Sequence, residues 1–207
     1  IHTLLVDTIS ALSASTPIRA TVPLNNNGVI YTQLDIAEGN ETKLVKYNTL
    51  AEPYEVLLTN ELLTINGSVY EIFDYNPSPD NRYIALQLYP KGLDDMIIRI
   101  YDSKTGSFTE DIIDASTSYY PFWLPDSKSF FYTQLCSPMK FDSVQVKRHI
   151  IGQSQNTDQL VLDRQSSNIL TYGDGDFPVI QMLPDGKRVV CSMAYGISQY
   201  VDHYIAP

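Results

Sequence analysis

The feature that most restricts how this chain can fold is a turn written three times. Tyr75-Asn76-Pro77-Ser78-Pro79-Asp80-Asn81-Arg82-Tyr83, Phe122-Trp123-Leu124-Pro125-Asp126-Ser127-Lys128-Ser129-Phe130 and Gln181-Met182-Leu183-Pro184-Asp185-Gly186-Lys187-Arg188-Val189 share one grammar. Each is an aromatic or apolar run, then Pro-Asp, then a small or polar residue, then a second run. Proline presets φ for the first corner of a tight turn, and Asp, Asn or Gly accepts the next corner and can bond the backbone locally. Each copy therefore predicts a hairpin between two strands. Counted Asp80 to Asp126 to Asp185, the copies stand 46 and 59 residues apart. The first interval is the size of a four-stranded propeller blade, and the second is a blade with a longer outer segment. A Greek-key sandwich also holds many short strands, but it gives no reason for three copies of one turn.

Further runs fit the same plan. Residues 29–34 and 43–47 flank Glu38-Gly39-Asn40, and strands are predicted at 69–75, 83–88, 96–101, 108–112, 119–123, 129–134, 144–150, 159–162, 179–183, 188–193 and 200–205. Asp102-Ser103-Lys104-Thr105-Gly106 predicts a hairpin closing the outer pair of the second blade. The 15 Tyr and 7 Phe suit the half-buried surface of a pleated sheet. Helical spacing is confined to Leu5, Ile9 and Leu12, ended by Ser15-Thr16-Pro17, and to one turn at 60–63. The expected fold is all-β: a helical lead-in over 1–15, then a partial β-propeller over 16–207 with three to four four-stranded antiparallel blades. A blade cannot bury both faces alone, so neighbours stack on it.

Charge narrows the function. A formal net charge of −10 and a pI of about 4.6 argue against a nucleic-acid binder and against an anionic membrane surface. Lys147-Arg148-His149 is the one compact basic cluster and reads as an exposed strand edge. No apolar run approaches the ~20 residues of a membrane span. Cys136 and Cys191 make neither a disulfide framework nor a zinc site, and His2, His149 and His203 lie far apart. No metal and no cofactor is expected. Two thiols point to a reducing compartment, so the expected location is cytoplasmic, with the periplasm as the alternative. Asn40-Glu41-Thr42 and Asn66-Gly67-Ser68 fit the glycosylation pattern but read as turns. A chain that begins at Ile1, with no charged segment before an apolar stretch, reads as an excised or processed piece.

The same residues carry a family resemblance. Pro77-Ser78-Pro79-Asp80-Asn81-Arg82-Tyr83-Ile84-Ala85, then Ile98-Arg99-Ile100-Tyr101-Asp102, Thr105-Gly106 and Asp111-Ile112-Ile113, are similar in order to a blade of the prolyl oligopeptidase and oligopeptidase B family. Trp123-Leu124-Pro125-Asp126-Ser127-Lys128-Ser129-Phe130-Phe131-Tyr132 continues the series. Arg148-His149-Ile150-Ile151-Gly152, followed by Asp158-Gln159-Leu160-Val161, resembles the family's His-x-x-Gly segment and the strand after it.

The resemblance implies the non-catalytic, substrate-gating propeller of a serine-type oligopeptidase that hydrolyses short peptides. Its expected partners are those peptides and the parent's α/β-hydrolase catalytic domain. That chemistry needs a nucleophilic Ser in a Gly-x-Ser-x-Gly elbow with Asp and His partners. Gly152-Gln153-Ser154 and Gly196-Ile197-Ser198 each lack the second Gly, so no catalytic residue is assigned and the fragment alone is expected to be inactive. His149 is expected to be structural. Ala194 stands where prolyl oligopeptidase places a substrate-binding Arg, which puts prolyl specificity in doubt. Tyr119, Tyr120 and Tyr195 are candidate substrate contacts, with packed or rim tyrosines as the plainer reading. An incomplete ring leaves apolar blade faces that favour self-association. The alternative is a stand-alone propeller acting as an interaction scaffold, although the WD and Kelch signatures are missing. A carbohydrate enzyme would need converging carboxylates. Asp94, Asp95, Glu110 and Asp111 lie beside turns and read as solvated charge.

Overall fold

The computed structural model describes residues 18–36, 40–49, 52–92, 96–114, 121–135, 144–165, 175–195 and 201–206, without the side chain of Tyr195. The predicted lead-in helix lies outside them. The chain divides between Gly67 and Ser68 into two compact units.

The first unit is one antiparallel sheet. Its strands are β1 (Ile18–Ala20), β2 (Leu24–Asn26), β3 (Val29–Ile36), β4 (Glu41–Tyr47) and β5 (Glu55–Leu58), in the order β1-β3-β4-β5 with β2 also on β3. Asn27 and Gly28, both at positive φ, form the two-residue loop that pairs Asn26 with Val29. Tyr31, Leu44, Val45 and Leu58 are fully buried. The expected turn at 60–63 is present, with the Leu63 amide on the Thr59 carbonyl at 3.2 Å. A two-residue strand, β6 (Thr64–Ile65), ends the unit.

The second unit holds three further blades. The second blade runs β7 (Ser68–Pro77), β8 (Tyr83–Pro90), β9 (Ile97–Asp102) and β10 (Ser107–Asp114), each hydrogen-bonded to the next. The third runs β11 (Phe122–Trp123), β12 (Ser129–Leu135), β13 (Val144–Ile150) and β14 (Gln159–Leu162). The fourth shows three strands among the described residues, β15 (Asp176–Met182), β16 (Val189–Tyr195) and β17 (Val201–Ala206). Neighbouring strands are antiparallel throughout, and the chain is all-β as expected, with four β-propeller blades.

The repeated turn is one structure in three copies. The residue before each proline (Ser78, Leu124, Leu183) donates its amide to the residue five places on, at 2.7, 2.8 and 2.8 Å. Its carbonyl accepts from Asn81, Ser127 and Gly186, and those three residues all adopt positive φ, 60°, 55° and 65°. The aspartate closes each turn: Oδ1 of Asp80, Asp126 and Asp185 accepts the amide two residues later, at 2.9–3.1 Å. The turns also touch one another. The Asp80 amide donates to Ser127 Oγ at 3.1 Å, and the space beside Gly186 is filled by Pro125. In the second blade the turn is further tied to the 103–106 hairpin through Arg82 on Asp102 at 2.9 Å.

Alternation along β12 sends side chains into two seams. Phe130 and Tyr132, with Trp123, pack on Ala85, Ile98, Ile100 and Ile113 of the second blade. Phe131 packs with Val146 and Leu162 against Ile180 and Cys191 of the fourth. Cys191 is a buried free thiol, and burial pushes it up to about 11; Cys136 lies outside the described residues. Among the described residues, no helix is long and apolar enough to cross a membrane.

Candidate functional site: a charged bridge between two blades

The seam between the second and third blades holds a buried cluster of charged side chains. It starts from an irregularity in β10. The strand pairs Phe108 with Tyr101 and then Ile112 with Arg99, leaving residues 109–111 bulged. Arg99 fills the gap from β9, donating to the carbonyls of Asp111 and Thr109 at 3.1 Å each and lying 4.9 Å over the Phe108 ring. Its burial lowers its pKa from the ordinary arginine value.

The bulge presents Asp111 to the next blade. There β13 supplies His149, whose Nε2 lies 3.0 Å from Asp111 Oδ1 and whose Nδ1 lies 2.8 Å from Asp158 Oδ1. The three side chains are 1–2% exposed. Asp111 also accepts from the Gly152 amide at 2.7 Å and the Thr109 hydroxyl at 2.6 Å, and Asp158 accepts from the Tyr132 hydroxyl at 2.7 Å. Burial opposes charge on the imidazole, but the hydrogen bonds to Asp111 and then Asp158 outweigh it and lift His149 to about 9. Burial likewise opposes the Asp111 carboxylate, yet His149, Thr109 and Gly152 hold it below its ordinary value. At neutral pH the group is an imidazolium between two carboxylates, with both ring nitrogens donating.

The seam continues on both sides. Trp123 Nε1 donates to the Asn76 carbonyl and Asn76 Nδ2 to the Pro121 carbonyl, both at 2.8 Å. Gln155, in the 3-10 turn Gln155–Thr157, donates to the Asp114 carbonyl at 2.8 Å and accepts its amide at 3.1 Å, so one side-chain amide imitates a rung of sheet.

Two sequence readings are overturned here. Asp111 is not solvated charge, because the bulge turns it into the protein. Lys147-Arg148-His149 is not an exposed edge, because β13 lies between β12 and β14 and His149 is buried. The structural role expected of His149 fits its place in the bridge. Nothing in single-sequence spacing joins Asp111 to His149, 38 residues away.

The arrangement binds blades together and offers no nucleophile. A Ser–His contact does exist elsewhere: Ser192 Oγ lies 2.9 Å from His203 Nδ1 across β16 and β17. Among the described residues no carboxylate hydrogen-bonds that histidine, and Ser192 sits in mid-strand with its backbone in the ladder. It has neither the orienting acid nor the strained elbow of a hydrolase. No group of three or more His, Cys, Asp or Glu among the described residues is placed to hold a metal. Tyr119, Tyr120, Asp94, Asp95 and the side chain of Tyr195 lie outside the described residues; the Tyr195 backbone pairs with Asp176.

Comparison with known proteins adds independent findings. Residues 18–176 match the family described as prolyl oligopeptidase, N-terminal β-propeller domain. Dipeptidyl aminopeptidase BI of Pseudoxanthomonas mexicana is 28% identical over 116 residues, which cover 55% of this chain and 16% of that protein. A prolyl endopeptidase structure superposes with a TM-score of 0.76 at 20% identity, over 95% of this chain and 30% of that one. Prolyl oligopeptidase B of Galerina marginata, bound to a 35-residue hydrolysis and macrocyclisation substrate, gives 0.71 at 17% identity, over 91% and 28%. At these identities the two structures attest the fold. The chain spans less than a third of each relative's length.

Proposed function

This chain belongs to the family of prolyl oligopeptidase N-terminal β-propeller domains, and from that premise we propose that it is the substrate-gating portion of a serine-type oligopeptidase. The reacting groups lie on an α/β-hydrolase domain elsewhere in a longer polypeptide. The observation that carries this reading is the family match across residues 18–176, which takes in the first three blades and reaches the start of the fourth. The blades admit short peptides and exclude folded proteins, as a rigid wall of stacked sheets would. Tyr119, Tyr120 and Tyr195 are the assigned peptide contacts.

The test is a length series of fluorogenic peptides offered to the parent enzyme and to a version lacking this segment. Loss of the segment is expected to admit longer and folded substrates. An unchanged size preference removes the gating role. Peptide turnover by the 207-residue chain alone, blocked by a serine-directed inhibitor, would show that a nucleophile lies within it.

A further inference from the structure

The two carboxylates that hold His149 are unequally supplied with other donors. Asp111 has the Gly152 amide and the Thr109 hydroxyl besides the histidine, whereas Asp158 has the Tyr132 hydroxyl. A neutral imidazole carries one N–H, so on losing a proton it must turn a lone pair toward one carboxylate. Asp111 can keep its charge buried with its two remaining donors; Asp158 keeps one. The surviving proton therefore stays on Nδ1, facing Asp158, and Nε2 is the atom that empties. Asp158 follows β13 in the third blade, and Asp111 belongs to β10 of the second. The arm that breaks is the one that crosses the seam.

We infer that the Asp111–His149–Asp158 bridge is an alkali-released latch: loss of the His149 Nε2 proton to solvent unlocks the second blade from the third and leaves the third blade's own Nδ1 contact in place. Every group around the ring fits this assignment. On the second-blade side stand Asp111 and Thr109, with Arg99 behind them still cationic and bonded to the Asp111 carbonyl, and Glu110 beside it. On the third-blade side stand Asp158, Tyr132 and the Gly152 amide, with the Phe130 ring 5.4 Å away. Asp111 Oδ1 accepts both from His149 Nε2 and from the Gly152 amide, so its shift away from the Nε2 lone pair stretches and weakens the Gly152 bond without breaking it, and that amide reports the event. Among the described residues, the seam between the third and fourth blades has no matching group. Its core is Phe131, Val146, Leu162 and Ile180, and the Cys191 thiol beside them stays protonated until about 11.

The latch is tested on the whole isotope-labelled chain, by imidazole nitrogen shifts and amide hydrogen exchange between about pH 7 and pH 10, a window set by the value of about 9 for His149. Expected are a doubly protonated ring at neutral pH, a neutral ring protonated on Nδ1 at the alkaline end, and a loss of Gly152 protection of roughly tenfold beyond the intrinsic rate. Val190 and Cys191 amides should keep theirs. A ring already neutral at pH 7, a proton retained on Nε2, or equal loss in both seams overturns the inference. Asp111→Asn should lower the titration and remove the pH dependence at Gly152. The wild-type measurement decides the matter even where that variant fails to fold.

Discussion

The seams on the two sides of the third blade use equivalent positions with opposite chemistry. Counted from the shared turn, Phe130 pairs with His149 in the third blade and Val189 with Ala206 in the fourth. At the first seam a charge faces two carboxylates and the neighbours are aromatic: Trp123 stacks on Tyr83 at 6.4 Å and meets Phe130 edge-on at 5.2 Å. At the second, a small apolar cluster suffices, helped by Thr133 donating to the Pro178 carbonyl at 2.8 Å. The difference is one of tolerance. An apolar contact weakens gradually as atoms are removed, whereas a buried ion network fails when one partner goes, because the remaining charges have already lost their water.

The largest effect should come from His149→Ala. It leaves Asp111 and Asp158 buried without their cation and is expected to lower stability by about 3–5 kcal/mol in urea unfolding. A loss under about 1 kcal/mol would erase the contrast between the seams. Next is the pH profile of the wild type. A histidine lifted from 6.5 to about 9 on folding contributes stability that is whole below pH 6.5 and disappears as pH rises through 9. Some 3 kcal/mol should go over that window. At the acid end, the depressed Asp111 carboxyl contributes stability present above its ordinary value of 3.8 and lost as pH falls below it. Ile180→Ala, in the apolar seam, should cost about 2–4 kcal/mol. Its deficit should be the same at pH 7 and pH 9.5; a deficit that shrinks at high pH would mean the two seams are coupled.

Smaller effects probe the turns. Gly186→Ala places a Cβ in left-handed backbone, 3.4 Å from Pro125, and should cost about 1 kcal/mol by thermal unfolding. Ser127→Gly relieves the same backbone strain but gives up the Oγ that accepts from Asp80, so the change should stay within about 0.5 kcal/mol.

Legibility in the sequence followed how local the cause was. The three Pro-Asp turns were readable because a tight turn is set by four or five adjacent residues, and most strands between them appear within two residues of the expected bounds. Strands at 144–150 and 159–162 match to the residue. The exposed short strands β1 and β2 carry no alternating apolar pattern to find, and β5 buries only its last two residues. One missed feature did leave a signal: Asn27-Gly28 is a favoured pair for a two-residue hairpin loop. The charged bridge left none of that kind. Its members come from a bulge, a strand and a turn on different blades, so their meeting depends on tertiary stacking, and Asp111 in sequence looks like any acid near a turn.

The mutual contact of the three Pro-Asp turns sets where this protein can change length. One end of these sheets is spaced by turns of fixed size that rest on each other, so an inserted residue there would disturb two blades at once. Most of the wider interval between the second and third copies is taken up by the connections between β12 and β13 and between β14 and β15, which join strand ends on the opposite side. A guest peptide spliced into those connections should be carried without loss of fold, while the same peptide placed between Pro125 and Lys128 should not.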